Sequence, residues 1–149
     1  MPVAAICLWP RFVATAPPQA GLEAIGPLCL GTCDAATPPA VSIVIPVYGH
    51  HDHTFNCLRS LARFTALERV EVIVVDDASP QPAAQAMAGV EGVRWLRAGV
   101  NGGFIASCNL GAAAARGEFL VLLNNDIQVT AGWLEALLAV FDSRPDAGL

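Results

Sequence analysis

The amino-acid sequence predicts an open, mostly parallel α/β sheet with helices packed on it. Short β-branched apolar runs alternate with stretches of helical spacing from Val41 onward, and no hairpin signal joins consecutive strands. Acidic or polar residues then sit just past the strand ends, at Asp76-Asp77 and at Asn125-Asp126. In open α/β sheets ligands bind outside the carboxyl ends of the strands, so these polar ends fall where that architecture places a ligand.

The elements follow in order. Val41–Val47 (VSIVIPV) is short and mostly apolar, as a strand buried on both faces should be. Phe55, Leu58, Leu61, Ala62 and Thr65 recur at helical spacing and predict a helix over 53–66. Glu71–Val75 is a second buried strand, Pro80–Met87 a short helix and Val93–Leu96 a third strand. Phe104–Ala115 is a helix whose small residues let it sit close against a sheet. Glu118–Leu123 is a fourth strand. Gly132–Asp142 is a helix presenting Trp133, Leu134, Leu137, Leu138 and Phe141, with Pro145 as its stop.

Residues 1–40 have a different texture. Pro2, Pro10, Pro17, Pro18, Pro27, Pro38 and Pro39 are seven of the eleven prolines. They interrupt any long element, and the stretch reads as a linker or the tail of a preceding domain, with short helical or extended pieces around 20–33. Residues 41–149 then form the regular domain. They break off as a turn leads toward another element, so the domain is expected to be truncated.

Composition narrows the function. A chain of 149 residues that is 54% hydrophobic and 14% charged is globular rather than disordered. Its net charge is −5, and its eight basic residues are scattered arginines that form no stripe along which a phosphate backbone could run. Nucleic acid is therefore not expected as a partner. The apolar run Val3–Trp9 follows no basic residue and is too short to cross a membrane. The five cysteines read as unlinked thiols in a reducing compartment.

Several strand-end groups could carry chemistry. Asp76-Asp77 after a strand reads either as a cap and turn or as part of a ligand site. Asp126 follows a wholly apolar strand, where a carboxylate is costly unless it is paired or sits at the mouth of a cleft. Its oxygens suit Mg²⁺ or Mn²⁺, which can take their remaining ligands from water and substrate phosphates. The alternative is a cap on the next helix, for which Thr130 is better placed. Asn101, Gly102 and Gly103 form a turn that permits close backbone approach to a ligand. No GxGxxG follows the first strand and no GxxxxGK[ST] loop is present, which counts against NAD, FAD and P-loop ATP chemistry. His50, His51, Asp52 and His53 offer metal donors. However, adjacent loop side chains do not converge easily on one ion, and the stretch reads as a solvated loop entering the helix.

Taken together, VSIVIPVYG, EVIVVDDAS, NGGFIASCNLGAAAARGEFLVLLNND and GWLEALL resemble, in this order and spacing, the amino-terminal part of family 2 glycosyltransferases over about 41–149. The resemblance implies a Rossmann-like open sheet of GT-A type that binds a nucleotide-diphospho-sugar with Mn²⁺ or Mg²⁺. By the same resemblance, Pro46, Val47 and Tyr48 line the base and ribose pocket, Asp77 hydrogen-bonds the base, and Asp76 shapes that loop. Asn101, Gly102, Gly103, Phe104 and Asn109 lie along the nucleotide. Asn125-Asp126 matches the end of the family's DxD-type motif, with Asp126 as metal ligand. Asn124 stands where the motif's first Asp belongs, which weakens ligation by two carboxylates. The implied reaction is inverting transfer to an acceptor hydroxyl of a saccharide or lipid-linked saccharide. The catalytic base is expected beyond the metal motif, outside this sequence, and the isolated chain is expected to be inactive. The family setting implies polysaccharide assembly in the cytoplasm at the inner face of a membrane, with peripheral association of the full-length protein.

Three other readings compete, one of them a plain α/β domain whose polar strand ends are only caps, which four strand-end groups meeting at one edge disfavours. A non-catalytic nucleotide-sugar-binding module would keep the donor site and lack a base in the remainder of the protein. A nucleotidyltransferase-like α/β domain would need a Gly-rich loop with Arg or Lys after the first strand, and 46–54 has neither.

Overall fold

The computed structural model describes residues 4–8 as a backbone strand, together with residues 28–31 and 38–144. Its elements are β1 (Ala4–Leu8), β2 (Leu28–Cys29), β3 (Val41–Val47), α1 (His51–Phe64), β4 (Val70–Asp76), α2 (Ala83–Ala86), β5 (Val90–Glu91), β6 (Val93–Arg97), α3 (Gly103–Ala114), β7 (Phe119–Leu123) and α4 (Trp133–Ser143). The predicted α/β class and the alternation from Val41 onward hold.

Five strands form one sheet in the order β1-β7-β3-β4-β6, and every pairing is parallel. From β3 the chain steps outward to β4 and β6, then returns to the far side of β3 for β7. The direction of winding therefore reverses between β3 and β7, the place where such sheets open a crevice at their carboxyl edge. Right-handed crossovers in opposite directions also put α1 and α3 on opposite faces.

Both strands at the centre are buried along their whole length, which is why they read as continuous apolar runs. On one face Ile43, Ile45, Val47, Val72, Val74, Val121 and Leu123 meet Phe55, Leu58 and Leu61 of α1 and Leu134 of α4. On the other, Val44, Ile73, Val75 and Leu120 meet Ala112 and Ala115 around α3. Fully burying a side chain such as Leu58 or Leu61 stabilises by roughly 1.5–3 kcal/mol, so the spacing on α1 is what holds it to the sheet. The small residues of α3 permit contact no larger side chain would allow: a Cβ on Gly111 would stand 2.3 Å from Val44 Cγ1.

Pro46 lies in a central strand yet leaves no ladder bond broken. Val47 accepts from Asp77 N at 2.8 Å and so faces β4, which turns the nitrogen of Pro46 toward β7. The β3–β7 pairing has already ended at Val44↔Leu122, whereas the β3–β4 pairing runs on to Val47↔Asp76. Lacking an N–H, Pro46 marks where β7 and β3 part.

Parts of the proline-rich region join this architecture. Ala4–Leu8 pairs with β7 as an edge strand, and Leu28–Cys29 pairs with Val90–Glu91 in a separate two-stranded ladder. Leu30 is buried in the main core. The two-residue strand Leu28–Cys29 falls within the stretch 20–33 where short extended pieces are expected. Other boundaries also shift. The helix expected over 53–66 begins at His51, and the one expected over Pro80–Met87 shrinks to Ala83–Ala86, because Pro82 caps it and cannot extend it. Pro145, expected to stop the last helix, lies outside the described residues.

At the amino edge of the sheet, Glu71 fastens the α3–β7 turn. It accepts from Ser42 Oγ at 2.6 Å, from Arg116 N at 2.6 Å and from Arg116 Nε at 3.1 Å. Gly117 N donates to Ser42 Oγ at 2.8 Å beside it. Charge is thus compensated at this end, and the polar groups free to meet a ligand gather at the other.

Candidate functional site

At the carboxyl edge the loop after β4 is built around two carboxylates with different duties. Asp76 is buried. It accepts from Ser79 N at 2.8 Å and Ala83 N at 3.0 Å and receives the guanidinium of Arg97. Burial alone would raise its pKa, but the Ser79 side chain, the Ala83 and Ser79 amides and Arg97 outweigh burial and hold it below the ordinary carboxylate range. Its oxygens face protein donors and it does not line the neighbouring cavities. Arg97 also donates to Ser79 O at 2.9 Å, and Ser79 Oγ accepts from Gly49 N at 2.9 Å, which ties the ends of β3 and β4 together. Ala78 adopts φ 57°, a left-handed conformation that the surrounding bonds impose on the turn.

Asp77, also buried, points the other way. Oδ1 accepts from Gly102 N at 2.9 Å and Oδ2 from Gly103 N at 2.8 Å, so one carboxylate clamps the two amides that begin α3. Gly103 takes φ +79°, a conformation glycine adopts at no steric cost. A Cβ on Gly102 would come within 2.8 Å of Ala106 Cβ.

Two adjoining concavities share this wall. One, of about 240 Å³, is lined by Pro46, Val47, Tyr48, Asp77, Asn101, Gly103, Phe104 and Ser107. The other, of about 420 Å³, is lined by Asp77, Gly102 and Ser107 together with Ala98–Val100, Ala106 and Leu110. The structure thus brings together Pro46, Val47, Tyr48, Asp77, Asn101, Gly102, Gly103 and Phe104. Tyr48 and Phe104 are exposed large side chains, and both border the smaller concavity. Asn109 is exposed on α3 and lines neither concavity.

Ser107 is a residue that sequence reasoning missed. It is 1% exposed, lines both concavities, and its Oγ has no hydrogen-bond partner. Its position four residues after Gly103 places it on the same helix face, which is the signal that could have found it. Ala98, Gly99 and Val100 were missed too, being small or apolar.

The end of β7 stands across β3 from Asp77. In the strand order β3 lies between β7 and β4, so its end at Pro46–Val47 stands between theirs. Asn125 Nδ2 donates to Thr54 Oγ1 at 3.1 Å, and Cys57 Sγ meets Asn124 O at 3.8 Å, which fixes this loop on α1. Asp126 is exposed. It does not cap α4, whose N-cap is Gly132; nor does the Thr130 side chain, because no side-chain cap bond is present and only Thr130 O receives Trp133 N. Among the described residues Asp126 makes no hydrogen bond or ion pair, so an oxygen-preferring divalent ion fits it without breaking an existing contact.

The family model described as "Glycosyl transferase family 2" matches residues 42–148. The chain belongs to glycosyltransferase family 2. It is 30% identical over 111 residues to the "Putative glycosyltransferase EpsH" of Bacillus subtilis, covering 72% of this chain and 32% of that protein. To the human "Polypeptide N-acetylgalactosaminyltransferase 15" it is 32% identical over 124 residues, covering 76% of this chain and 19% of the relative. Crystal structures of S. aureus TarS 1-349, alone and in complex with UDP-GlcNAc, superpose with a TM-score of 0.62 at 24% identity over 70% of this chain. They share the GT-A-like fold of this family 2 chain. The chain spans about a third of EpsH and of the TarS fragment. No helix among the described residues is long and apolar enough to cross a membrane.

Proposed function

We propose that this family 2 chain is the nucleotide-sugar-binding half of a glycosyltransferase, with the donor's nucleotide in the paired concavities beside Asp77 and its diphosphate reaching toward Asp126. The observation that carries this reading is the Asp77 clamp on Gly102 and Gly103. It builds a wall common to both concavities, Pro46–Tyr48 line the smaller one, and Asn124–Asp126 follow the strand end on the other side of β3 at the same sheet edge.

In this reading Tyr48 and Phe104 offer flat apolar surface to base or ribose, and Ser107 Oγ supplies an unused donor and acceptor. Asp77 keeps lone pairs beyond the two glycine bonds and can accept from the base. Asp76 holds the loop while Asp77 faces the ligand. Asp126, flanked by Asn124 and Asn125, holds Mn²⁺ or Mg²⁺. When bound, the ion stabilises charge on the departing nucleoside diphosphate as a Lewis acid. Transfer is inverting, to an acceptor hydroxyl of a saccharide or lipid-linked saccharide. The base that takes the hydroxyl proton comes from sequence beyond residue 149. The complete protein would work in polysaccharide assembly on the cytoplasmic side of a membrane, bound there peripherally.

The test is calorimetric titration with UDP, GDP and dTDP, each with Mn²⁺ and with chelator, on the chain and on Asp126→Ala. UDP comes first because TarS has been crystallised with UDP-GlcNAc. Cation-dependent binding of one nucleotide, lost in the variant, is the expected result. A folded chain that binds none of the three, or binds equally without cation, would overturn the donor-site or the cation assignment respectively.

A further inference from the structure

Beyond the cleft, one side-chain cluster gathers three metal-ligating groups. His50, Asp52 and His53 each offer one donor atom, and these atoms lie within 4.8 Å of one another. The sequence argued against such convergence, since neighbours in a loop point apart. Here the backbone brings it about. His50 has φ 47° and ψ 49° and is the N-cap of α1, so the next three residues are already helical. Its carbonyl accepts from His53 N at 3.1 Å and Thr54 N at 3.3 Å. The His50 ring meets the His53 ring edge-on, with centroids 5.8 Å apart, and Asp52 Oδ2 lies 4.0 Å from His53 Nε2. His51 has a different partner: its Nε2 contacts Gln81 O at 3.1 Å.

We propose that His50, Asp52 and His53 form a binding site for a borderline transition-metal ion such as Zn²⁺ or Co²⁺, separate from the oxygen-preferring cation at Asp126. Two imidazoles and a carboxylate are a donor set that favours these ions over Mg²⁺. Three protein ligands with solvent in the fourth position match the ligand count of an open zinc site. Tetrahedral donors at ordinary zinc distances stand about 3.3 Å apart, so donors within 4.8 Å can close on an ion by side-chain rotation alone. All three residues are exposed, and His50 and Asp52 each meet His53, so an ion can bind without displacing a partner from another element. The positive end of α1 opposes a cation there and the Asp52 carboxylate offsets it. The loop runs from Tyr48 on the concavity wall into α1, so a bound ion would stiffen the segment bordering the cleft. This site does not depend on the donor-site reading.

The metal-free 149-residue chain would be titrated with Co²⁺, followed by its visible d–d absorption, and then with competing Zn²⁺. One equivalent is expected to bind, with no thiolate-to-cobalt band in the near ultraviolet. Binding should weaken at least tenfold in His53→Ala and in His50→Gly, which keeps the left-handed conformation accessible, and stay unchanged in His51→Ala. Circular dichroism would confirm that each variant is folded. Absence of visible absorption from a folded chain would overturn the site. So would a thiolate band, or equal binding by the His50→Gly/His53→Ala double variant.

Discussion

Asp77 Oδ1 accepts the amide of Gly102 at 2.9 Å across 25 residues of sequence, so the loop after β4 holds the first turn of α3 in place. Oδ2 does the same for Gly103, and a carboxylate is the side chain of this size with acceptors at both positions. Asp77→Asn would set an NH₂ group against one of the two amides. Losing that part-buried, charge-assisted bond should cost about 1.5–3 kcal/mol of stability in urea unfolding. Nucleotide affinity should fall at least tenfold in calorimetry. A variant that binds normally would separate the clamp from the site.

Ser107→Ala should act in the opposite sense on stability. The Ser107 hydroxyl is buried without a partner, so its removal should leave the unfolding free energy unchanged or slightly raised. If the hydroxyl meets the nucleotide, affinity should drop by about tenfold, equivalent to about 1.4 kcal/mol. Loss of stability without loss of affinity would give Ser107 a packing role instead.

The contact between α3 and the sheet is tight enough to test by adding atoms. A Cβ at Gly111 would lie 2.3 Å from Val44 Cγ1 and 3.0 Å from Val75 Cγ2, both on the two central strands. Gly111→Ala should therefore destabilise by about 1–3 kcal/mol despite alanine's better helix propensity. Gly89→Ala is the control, because nothing lies within 4 Å of its added Cβ, and it should fall within about 0.5 kcal/mol of the parent chain.

Much of this arrangement was legible beforehand, and the omissions have physical causes. VSIVIPV and VEVIVVD are buried on both faces, so their composition announced them. Strand β1 was visible only as an apolar run, because its partner β7 lies more than a hundred residues away and nothing local encodes that pairing. Strand β2 is two residues long and carries no periodicity. Asp77 and Asp126 stood out as charge after apolar strands, whereas Ser107 is a small polar residue inside a helix and looks like packing until a cavity is seen beside it. The sequence alone favours a solvated loop for the His50 cluster, because its convergence depends on a left-handed residue that has a β carbon.

Acid should unfold the protein partly through Asp76 and Glu71. Burial would raise both, yet the hydrogen bonds and arginines around them prevail, and both are held below their ordinary values. A carboxylate whose folded pKa is depressed contributes stability that is fully present above its unfolded pKa and is lost as pH falls through the folded value. Unfolding free energy should therefore be level with respect to these two groups near neutrality and decline below about pH 4. Asp76→Asn should be less stable than the parent at pH 7, with the gap narrowing as pH falls toward 3. A gap that stays constant would mean that the Asp76 charge contributes nothing.

Thiol reactivity offers a last check on how the end of β7 packs on α1. Cys57 is fully buried, and its pKa is pushed up to about 12, first by burial and then by the Asp126 carboxylate. The thiolate is the nucleophile, so at pH 8 Cys57 should resist iodoacetamide for as long as the fold lasts, while exposed Cys29 is alkylated. Mass mapping after a timed reaction would read both sites. Because burial is the larger cause, Asp126→Asn should leave Cys57 protected, and only partial denaturation should expose it. Rapid labelling of Cys57 in that variant would show instead that Asp126 helps hold the 124–126 loop over the thiol, giving the carboxylate a packing role.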